Sequence, residues 1–341
     1  MNLLGSYIID WREQYMAKQT ITDKKDFIDI LKPFGLRPIV LDLPFRLDHV
    51  NCFIAEGENG WTVIDTGLHN QETVKRWEAE LAGKTISDII ITHNHPDHFG
   101  YAGGMQEKTG AHVSMTKMDY DEAVNTWNKN YLSKLTAYYK QAGIPDEIGR
   151  KMQANTAEFI DRVTPYPEVG HYFQEGEIVP IGNNEYQVIF TPGHADGLVT
   201  FYNQAHNMLL STDHILPKIT PNISYWFRGD PDPLASYLRS LEKVKKLDAD
   251  LVVPSHGTPF HGANDRIAAI QAHHEERLAQ TLEIIGSGVT VYEACAKLFR
   301  KELTIHETRF AIGETIAHLE YLKNKGECRR EEKAGEYCYY I

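Results

Sequence analysis

A dense cluster of metal-ligating residue types follows one of the predicted strands. Residues 92–98 read Thr-His-Asn-His-Pro-Asp-His and come directly after Ile86–Thr92, a largely apolar run of strand length. The segment holds four candidate ligands, which are His93, His95, Asp97 and His98. Imidazole and carboxylate groups together suit zinc and similar transition metals. A single loop histidine is usually only solvated, but four ligands this close together predict a metal site, and the chain must fold so as to support it.

Three later segments each place one more candidate ligand at the end of a predicted strand. His194 follows the letters Thr-Pro-Gly, Asp213 follows Ser-Thr, and His256 follows Pro-Ser. Each lies where an apolar run gives way to turn-forming residues. We therefore expect all of these side chains to gather at one edge of a layered α/β structure.

The remaining pattern alternates short β-branched runs with amphipathic helical periods, which predicts an α/β fold. The predicted strands are Pro38–Leu43, Val50–Ala55, Trp61–Asp65, Ile86–Thr92, Ala111–Met115, Glu177–Ile181, Tyr186–Thr191, Leu198–Asn203, Met208–Thr212 and Leu251–Pro254. The predicted long helices are Gln71–Leu81, Pro233–Leu247 and Asn264–Ile285.

Changes of texture divide the chain into three regions. We expect an N-terminal extension over 1–37 and a main domain over 38–265, with a polar-aromatic helical insertion at about 116–172. Residues 266–341 form a linker helix and a small winged-helix-like C-terminal module. Its predicted elements are two helices, Tyr292–Phe299 and Glu307–Lys325, and a hairpin, Cys328–Ile341.

The combined motifs resemble those of the metallo-β-lactamase fold hydrolases. The resemblance rests on T-H-N-H-P-D-H-F-G, T-P-G-H-A-D-G, S-T-D-H and P-S-H-G in this order, with V-I-D-T-G upstream, and it covers about residues 38–262. It implies a four-layered αββα sandwich with two metal ions at one edge of the sheets. It also implies that His93, His95 and His194 hold the first metal. Asp97, His98 and His256 would hold the second, with Asp213 bridging and Asp65 supporting the ligand loop.

Two departures narrow the resemblance. Redox-type members carry glutamate at the position of His95, so a di-iron oxygen reductase is not expected. True glyoxalase II has a basic helical C-terminal region for glutathione, and no matching segment is present. The chain is more similar to a glyoxalase II-related branch with a C-terminal appendage, some members of which are ribonucleases.

A dinuclear ligand set predicts hydrolysis. Two zinc ions, with iron or manganese as alternatives, can share a water and lower its pKa to about 7, which supplies a bridging hydroxide near neutral pH. Asp97 would align this nucleophile and accept its proton. We expect a small-molecule substrate, namely an ester, thioester or lactone. The alternatives are a metal-dependent ribonuclease and a non-catalytic regulator that binds nucleic acid.

Composition argues against both of the nucleic-acid alternatives. The chain has a formal net charge of -12, and residues 286–341 carry nine Lys and Arg against nine Asp and Glu. Clustered cations for phosphate contacts are therefore not expected. The C-terminal module is instead predicted to pack on the main domain or on a partner subunit, as in a homodimer, and to shape the pocket mouth.

The cellular setting and the substrate pocket are less strongly marked by the sequence. No uncharged apolar run reaches 18 residues, and four scattered cysteines with no secretory signal predict free thiols in the cytoplasm. His214 could reach the pocket rim or have a structural role. Tyr225 and Trp226 could form an aromatic substrate wall or belong to the core. The aromatic insertion could cover the metal edge or only pack as a cap.

Overall fold

The structure is a computed structural model that describes residues 24–286, 288–300 and 302–341. The first half of the chain contains strands β1 Leu36–Asp42, β2 His49–Gly57, β3 Gly60–Ile64, β4 Ile86–Ile90, β5 His112–Met115 and β6 Val169–Tyr172. Its helices are α1 Lys24–Leu31, α2 Gln71–Leu81, α3 Pro96–Phe99, α4 Ala102–Thr109, α5 Lys117–Thr126, α6 Lys129–Gln141 and α7 Asp146–Ala157.

The second half begins with another set of strands and ends in the C-terminal module. The strands are β7 Ile178–Ile181, β8 Asn184–Phe190, β9 Val199–Asn203, β10 Met208–Thr212, β11 Leu251–Pro254, β12 Phe260–His261, β13 Val289–Thr290, β14 Arg329–Lys333 and β15 Glu336–Tyr340. The helices are α8 Pro233–Lys245, α9 Ala263–Ile285, α10 Val291–Leu298 and α11 Ile305–Asn324.

Two six-stranded mixed sheets pack face to face between layers of helices. The first has the order β1-β2-β3-β4-β5-β6 and the second β12-β11-β10-β9-β8-β7. Ile90, Leu210 and Val253 enter the core between the sheets, whereas their neighbours in the chain face the outer helices. This alternation follows from the two-residue period of a strand, and it buries both faces of each sheet. The fold is the predicted αββα sandwich.

The predicted N-terminal extension over 1–37 is not separate from the main domain where the structure describes it. Residues 1–23 of the predicted extension lie outside the described residues. Phe27 and Leu31 of α1 are buried in the core between the sheets, where they pack with Leu36. The described part of the predicted extension is therefore integrated into the sandwich.

The predicted insertion at 116–172 is helical for most of its length but does not end as predicted. Helices α5, α6 and α7 occupy it, and then β6 pairs in parallel with β5 as the edge of the first sheet. The sequence Val-Gly-His-Tyr of β6 has no alternating apolar pattern and therefore does not predict a strand. It becomes a strand through its pairing with β5 at the edge of the sheet.

The C-terminal module packs on the insertion. Its two helices and terminal hairpin are present, and β13 adds a third strand in the order β13-β15-β14. Tyr131, Leu135 and Met152 of the insertion share a buried cluster with Ile312 and Ile316 of α11. The module thus lies against the main domain, as its zero net charge led us to expect. Its winged-helix likeness stays a prediction.

Candidate metal centre

The seven predicted ligands come together at one edge of the sandwich. They follow four strands, because His93 to His98 come after β4, His194 after β8, Asp213 after β10 and His256 after β11. β4 lies in one sheet and the other three strands in the second, so the site spans both sheets. Ligands on strand ends are held by the most rigid part of the fold.

The segment that carries His93 to His98 is not a loop along its whole length, because it includes one short helical turn. Pro96 begins the short helix α3, and this places Asp97 and His98 on a helical turn. Proline is favoured at the first helical position because its fixed φ suits the helix and its missing N–H is not needed there. The turn separates His93 and His95 from Asp97 and His98.

The donor atoms form overlapping groups that suit two metal ions. Atoms of His93, His95 and His194 lie within 4.8 Å of one another, and so do those of Asp97, His98 and His256. A third group, which consists of His93, His98 and Asp213, overlaps both. Within these groups, His93 Nε2 is 3.1 Å from His95 Nδ1, and His256 Nε2 is 3.5 Å from Asp97 Oδ2. Ligands about 2.0–2.2 Å from one tetrahedral ion lie roughly 3.3–3.6 Å apart, which is close to the observed spacing.

Asp213 lies between the two groups. Its Oδ2 is 3.3 Å from His194 Nε2 and 3.2 Å from His256 Nε2, and its Oδ1 is 3.5 Å from His98 Nε2. One carboxylate therefore contacts a histidine of the first group and two histidines of the second. This is the position that a bridging ligand requires.

Three of the histidines are oriented by contacts of the opposite ring nitrogen. Nδ1 of His98 is 2.8 Å from Asp65 Oδ2, Nδ1 of His194 is 2.8 Å from the Asn222 carbonyl, and Nδ1 of His256 is 2.6 Å from the His49 carbonyl. Each acceptor fixes an Nδ1–H tautomer, so Nε2 faces the site with its lone pair free for a metal.

Asp65 has the supporting position that the resemblance implies. Its carboxylate accepts hydrogen bonds from the Thr92 amide at 2.9 Å and the Thr92 hydroxyl at 2.8 Å, in addition to the one from His98. Its backbone has a positive φ of 57° at the end of β3, a strained conformation that is typical of functional turns. Asp65 therefore connects the start of the ligand segment to one of its histidines.

The chemistry of the donor set fits bound divalent cations. Nε2 of His98, His194 and His256 and Oδ1 of Asp213 are buried and have no hydrogen-bond partner among the described residues. Buried polar atoms without partners are rare and costly in folded proteins. Metal ions at this position would satisfy all four atoms at once.

The electrostatics of the site divide its histidines into two kinds. Burial, together with the neighbouring imidazoles, holds the pKa of His93 and His95 well below the usual value, so both rings stay neutral. Although burial opposes the charge, the carboxylates of Asp213 and Asp97 raise the pKa of His98 well above its usual value. The carboxylates therefore make the electrostatic potential negative around Asp213. This potential favours a proton on His98 and would equally favour a bound metal cation.

Sequence reasoning missed several residues that position these ligands. Asp119 at the start of α5 is buried, and its carboxylate accepts hydrogen bonds from the Asn94 amide at 3.0 Å and the Gly197 amide at 2.7 Å. It thus joins the His93–His98 segment to the turn that carries His194. Burial raises the pKa of Asp119 to about 7. No local pattern marks this residue, because both of its partners are distant in the sequence.

The C-terminal module also reaches the ligands. Asn222, whose carbonyl lies 2.8 Å from His194, has its side-chain amide 3.1 Å from Glu314 Oε2 on α11. His49 contacts His256 through its carbonyl, and its ring accepts a hydrogen bond from the Gly257 amide at 3.0 Å. The contacts of Asn222 and His49 thus orient His194 and His256, while neither Asn222 nor His49 is itself a predicted metal ligand.

A cavity of about 510 Å³ opens onto the ligands. The loop at 44–47, the insertion, the segment 219–228 and helix α11 all contribute to its lining, together with His95, Asp97 and Asp213. Most of its lining surface is apolar, although polar and charged side chains also contribute. This volume and character are typical of a small-molecule site.

Of the three predicted pocket residues, two line the cavity and one does not. Tyr225 and Trp226 line the cavity, and so do Trp127, Tyr131, Tyr139 and Phe159 of the insertion, which covers the metal edge. His214 does not line it: its ring is fully buried and packs edge-on against Tyr237 at 5.3 Å. The reason is that the chain turns after Asp213, so the next side chain points into the core below α8. Of the two roles that the sequence left open for His214, its burial favours the structural one.

Comparison with known proteins agrees with this geometry. Residues 45–256 match the family described as "Metallo-beta-lactamase superfamily", and residues 278–340 match "Metallo-beta-lactamase-like, C-terminal domain". The chain is 23% identical over 300 residues to a probable metallo-hydrolase of Bacillus subtilis (strain 168), covering 82% of this chain and 89% of the relative. It is also 23% identical over 219 residues to the hydroxyacylglutathione hydrolase GloC of Haemophilus influenzae, covering 63% and 89%.

A solved structure extends the likeness to nearly the whole chain. The crystal structure of a metallo-beta-lactamase family protein from Thermus thermophilus has a TM-score of 0.79 at 30% identity, and it covers 90% of this chain and 98% of that one. The match therefore includes the C-terminal module as well as the sandwich. This chain belongs to the metallo-beta-lactamase superfamily and is a metal-dependent hydrolase.

Proposed function

We propose that this protein uses two divalent metal ions, zinc in the first place, to hydrolyse a small ester, thioester or lactone. The observation that carries the proposal is the pair of donor groups joined by Asp213 at the base of a largely apolar cavity. His93, His95 and His194 would hold one ion, and Asp97, His98 and His256 the other. Bound divalent ions supply Lewis acidity, which polarises an acyl oxygen and acidifies water near neutral pH.

Asp97 is the residue best placed to handle a proton. Its side chain is 18% exposed, whereas that of Asp213 is 7% exposed, and it lines the cavity. Its Oδ2 is 3.7 Å from His98 Nε2 and 3.5 Å from His256 Nε2. A carboxylate held in this way can orient an attacking water and accept its proton as a general base.

The cavity favours acyl compounds over nucleic acid. Its lining surface is mostly apolar, and the chain carries a net charge of -12. Nucleic acids bind to exposed clusters of Lys and Arg that neutralise their phosphates. The relative named hydroxyacylglutathione hydrolase also supports an acyl substrate.

A substrate panel tests the proposal directly. The protein would be depleted of metal, reconstituted separately with zinc, manganese and iron, and assayed with esters, thioesters, lactones, a phosphodiester, a sulfate ester and a short RNA. We expect at least one acyl class to be hydrolysed with the highest kcat/KM, and Asp97→Asn to abolish this activity. A preference for the phosphodiester or RNA, lost in the same variant, would instead support a nuclease.

A further inference from the structure

Arg309 is a buried cation that lines the cavity and lacks an acidic partner in the part of the chain that the structure describes. It lies on α11 of the C-terminal module and is 8% exposed. Its guanidinium lies over three aromatic rings, at 5.0 Å from Phe310 and 5.5 Å from both Phe159 and Trp226. Aromatic faces attract a cation but accept few of its hydrogen bonds.

Most of the hydrogen-bonding capacity of Arg309 is unused within the described ranges. Its Nη1 is 3.3 Å from Thr156 Oγ1, and its Nε has no hydrogen-bond partner among the described residues. A guanidinium carries five N–H donors in a fixed fork, which match the two oxygens of a carboxylate. Nε itself is closed off from solvent, so a ligand in the cavity would be bound by the Nη donors that remain without a partner.

The other two arginines that line the cavity differ from Arg309 in having an acidic neighbour, although Nε of Arg228 also lacks a hydrogen-bond partner among the described residues. Arg228 forms an ion pair with Glu122, and Arg46, whose side chain is 72% exposed, lies 3.4 Å from Glu307. No carboxylate of the described residues lies within ion-pair distance of Arg309. A charge removed from water without a counter-charge is destabilising, so folded proteins seldom keep one unless it has a use. Burial accordingly lowers the pKa of Arg309 from its usual value.

We propose that Arg309 binds an oxyanion group of the substrate, a carboxylate in the first place, while the apolar part of the substrate packs on Phe159 and Trp226. The inference rests on the proposed function, because it takes the ligand of this cavity to be the molecule that is hydrolysed. It narrows the substrate to an ester, thioester or lactone that carries a separate anionic group. The C-terminal module would then supply specificity to a reaction carried out by the main domain.

The alternative is a structural role, in which Arg309 only joins the module to the insertion. The two roles differ in what they predict for charged and neutral ligands. A structural arginine affects both alike when it is replaced, whereas a binding arginine affects only the anionic one. A matched pair of ligands therefore separates them.

The first test uses substrates. Two acyl esters of similar shape, one ending in a carboxylate and one in the corresponding neutral carboxamide, would be compared in the zinc-loaded protein. We expect wild type to prefer the carboxylate, and Arg309→Gln to reduce kcat/KM for it by about 10- to 100-fold, as the loss of a charge-assisted hydrogen bond implies, with less than about threefold change for the neutral ester. Arg309→Lys, which keeps the charge, should lose less of the preference. Arg76→Gln, which changes an exposed arginine on α2 outside the cavity, is the matched control and should leave the preference unchanged.

The second test does not depend on turnover. Binding of 4-phenylbutanoate and its neutral amide would be measured by calorimetry in wild type and in both Arg309 variants, with thermal unfolding as a check on folding. Carboxylate binding that weakens in Arg309→Gln supports the subsite even if no ester is hydrolysed, in which case the proposed function fails alone. Equal binding of acid and amide by wild type would overturn the subsite, and so would equal losses for both ligands in the variants.

Discussion

At the scale of single residues, Asp213 decides how the two groups of ligands are related. Its oxygens lie 3.2 to 3.5 Å from histidines of both groups. The ligands could be predicted from the sequence because each residue type and its place after a strand carry the signal locally. Asp119, Asn222 and Arg309 could not, because the hydrogen bonds that link them to the ligands or to the insertion span 25 or more positions and only the fold brings these groups together. The role of His214 stayed open for a related reason, since the direction of a side chain after a turn is set by tertiary packing.

The first prediction concerns Asp97. Asp97→Asn keeps the size of the side chain but removes the charge that orients water and accepts a proton. We expect kcat to fall by about two to four orders of magnitude even when excess zinc keeps both metal positions filled, while thermal unfolding of the metal-loaded protein stays near wild type. Steady-state kinetics together with elemental analysis would measure turnover and metal content. Turnover within a few-fold of wild type, with both metals retained, would rule out a chemical role for Asp97.

The second prediction concerns Asp119, which accepts backbone hydrogen bonds from both ligand segments. In Asp119→Asn one of these amides would face an NH₂ group in place of an oxygen. We expect metal affinity to fall by about 10- to 100-fold, the range typical of residues that position ligands. Metal titration with a competing chelator would measure it. Asp121→Asn, an exposed carboxylate on the same helix, is the control, and equal effects of the two variants would refute a positioning role for Asp119.

At the scale of elements, the sequence predicts those helices and strands whose apolar residues recur with a clear period. Gln71–Leu81, Met208–Thr212 and Leu251–Pro254 have the bounds expected from their apolar patterns. β6 and α3 were not predicted, because a polar edge strand and a single helical turn have too few residues to show a period. The packing of α11 on the cavity was expected only in outline, from the absence of a basic surface on the module.

The third prediction tests the contact between α11 and the cavity lining. The Gly313 carbonyl accepts a hydrogen bond from the Tyr225 amide at 3.0 Å, and a Cβ at Gly313 would come within 2.6 Å of Ser224 Oγ. Gly313→Ala should therefore push the helix from the segment that carries Tyr225 and Trp226. We expect destabilisation by about 1–3 kcal/mol and a raised KM.

The control for this variant is another helical glycine. At Gly149 on α7 an added Cβ would meet only ordinary contacts, the nearest at 3.5 Å from Tyr139. Gly149→Ala should be neutral or stabilising by up to about 1 kcal/mol, since alanine favours the helix. Denaturant unfolding would compare the two. If Gly313→Ala is as stable as wild type, the close approach of α11 has no importance for the cavity.

At the scale of the whole molecule, the main domain supplies the ligands and the C-terminal module completes the cavity. The ligands connect the two sheets through their loops, and the insertion connects the sandwich to the module through one buried cluster. No helix in the described ranges is both long and apolar enough to cross a membrane.

Because the bound ions would hold segments from both sheets together, metal binding should stabilise the entire assembly.

The fourth prediction follows from this arrangement. Removal of metal by a chelator leaves the buried Nε2 atoms of three histidines without partners. We expect the unfolding temperature to fall and to be restored by zinc, with a stabilisation of about 4 kcal/mol when free zinc is about a thousandfold above its Kd. Differential scanning calorimetry at several zinc concentrations would measure the shift. An unfolding temperature independent of zinc would contradict binding at this site.

The central claim is that one site of seven ligands holds two metal ions. Elemental analysis of the zinc-reconstituted protein, after removal of unbound metal, tests it most directly. We predict close to two equivalents per chain for wild type and fewer for Asp213→Ala, which removes the carboxylate between the two groups. A wild-type ratio that never exceeds one equivalent would contradict the dinuclear site.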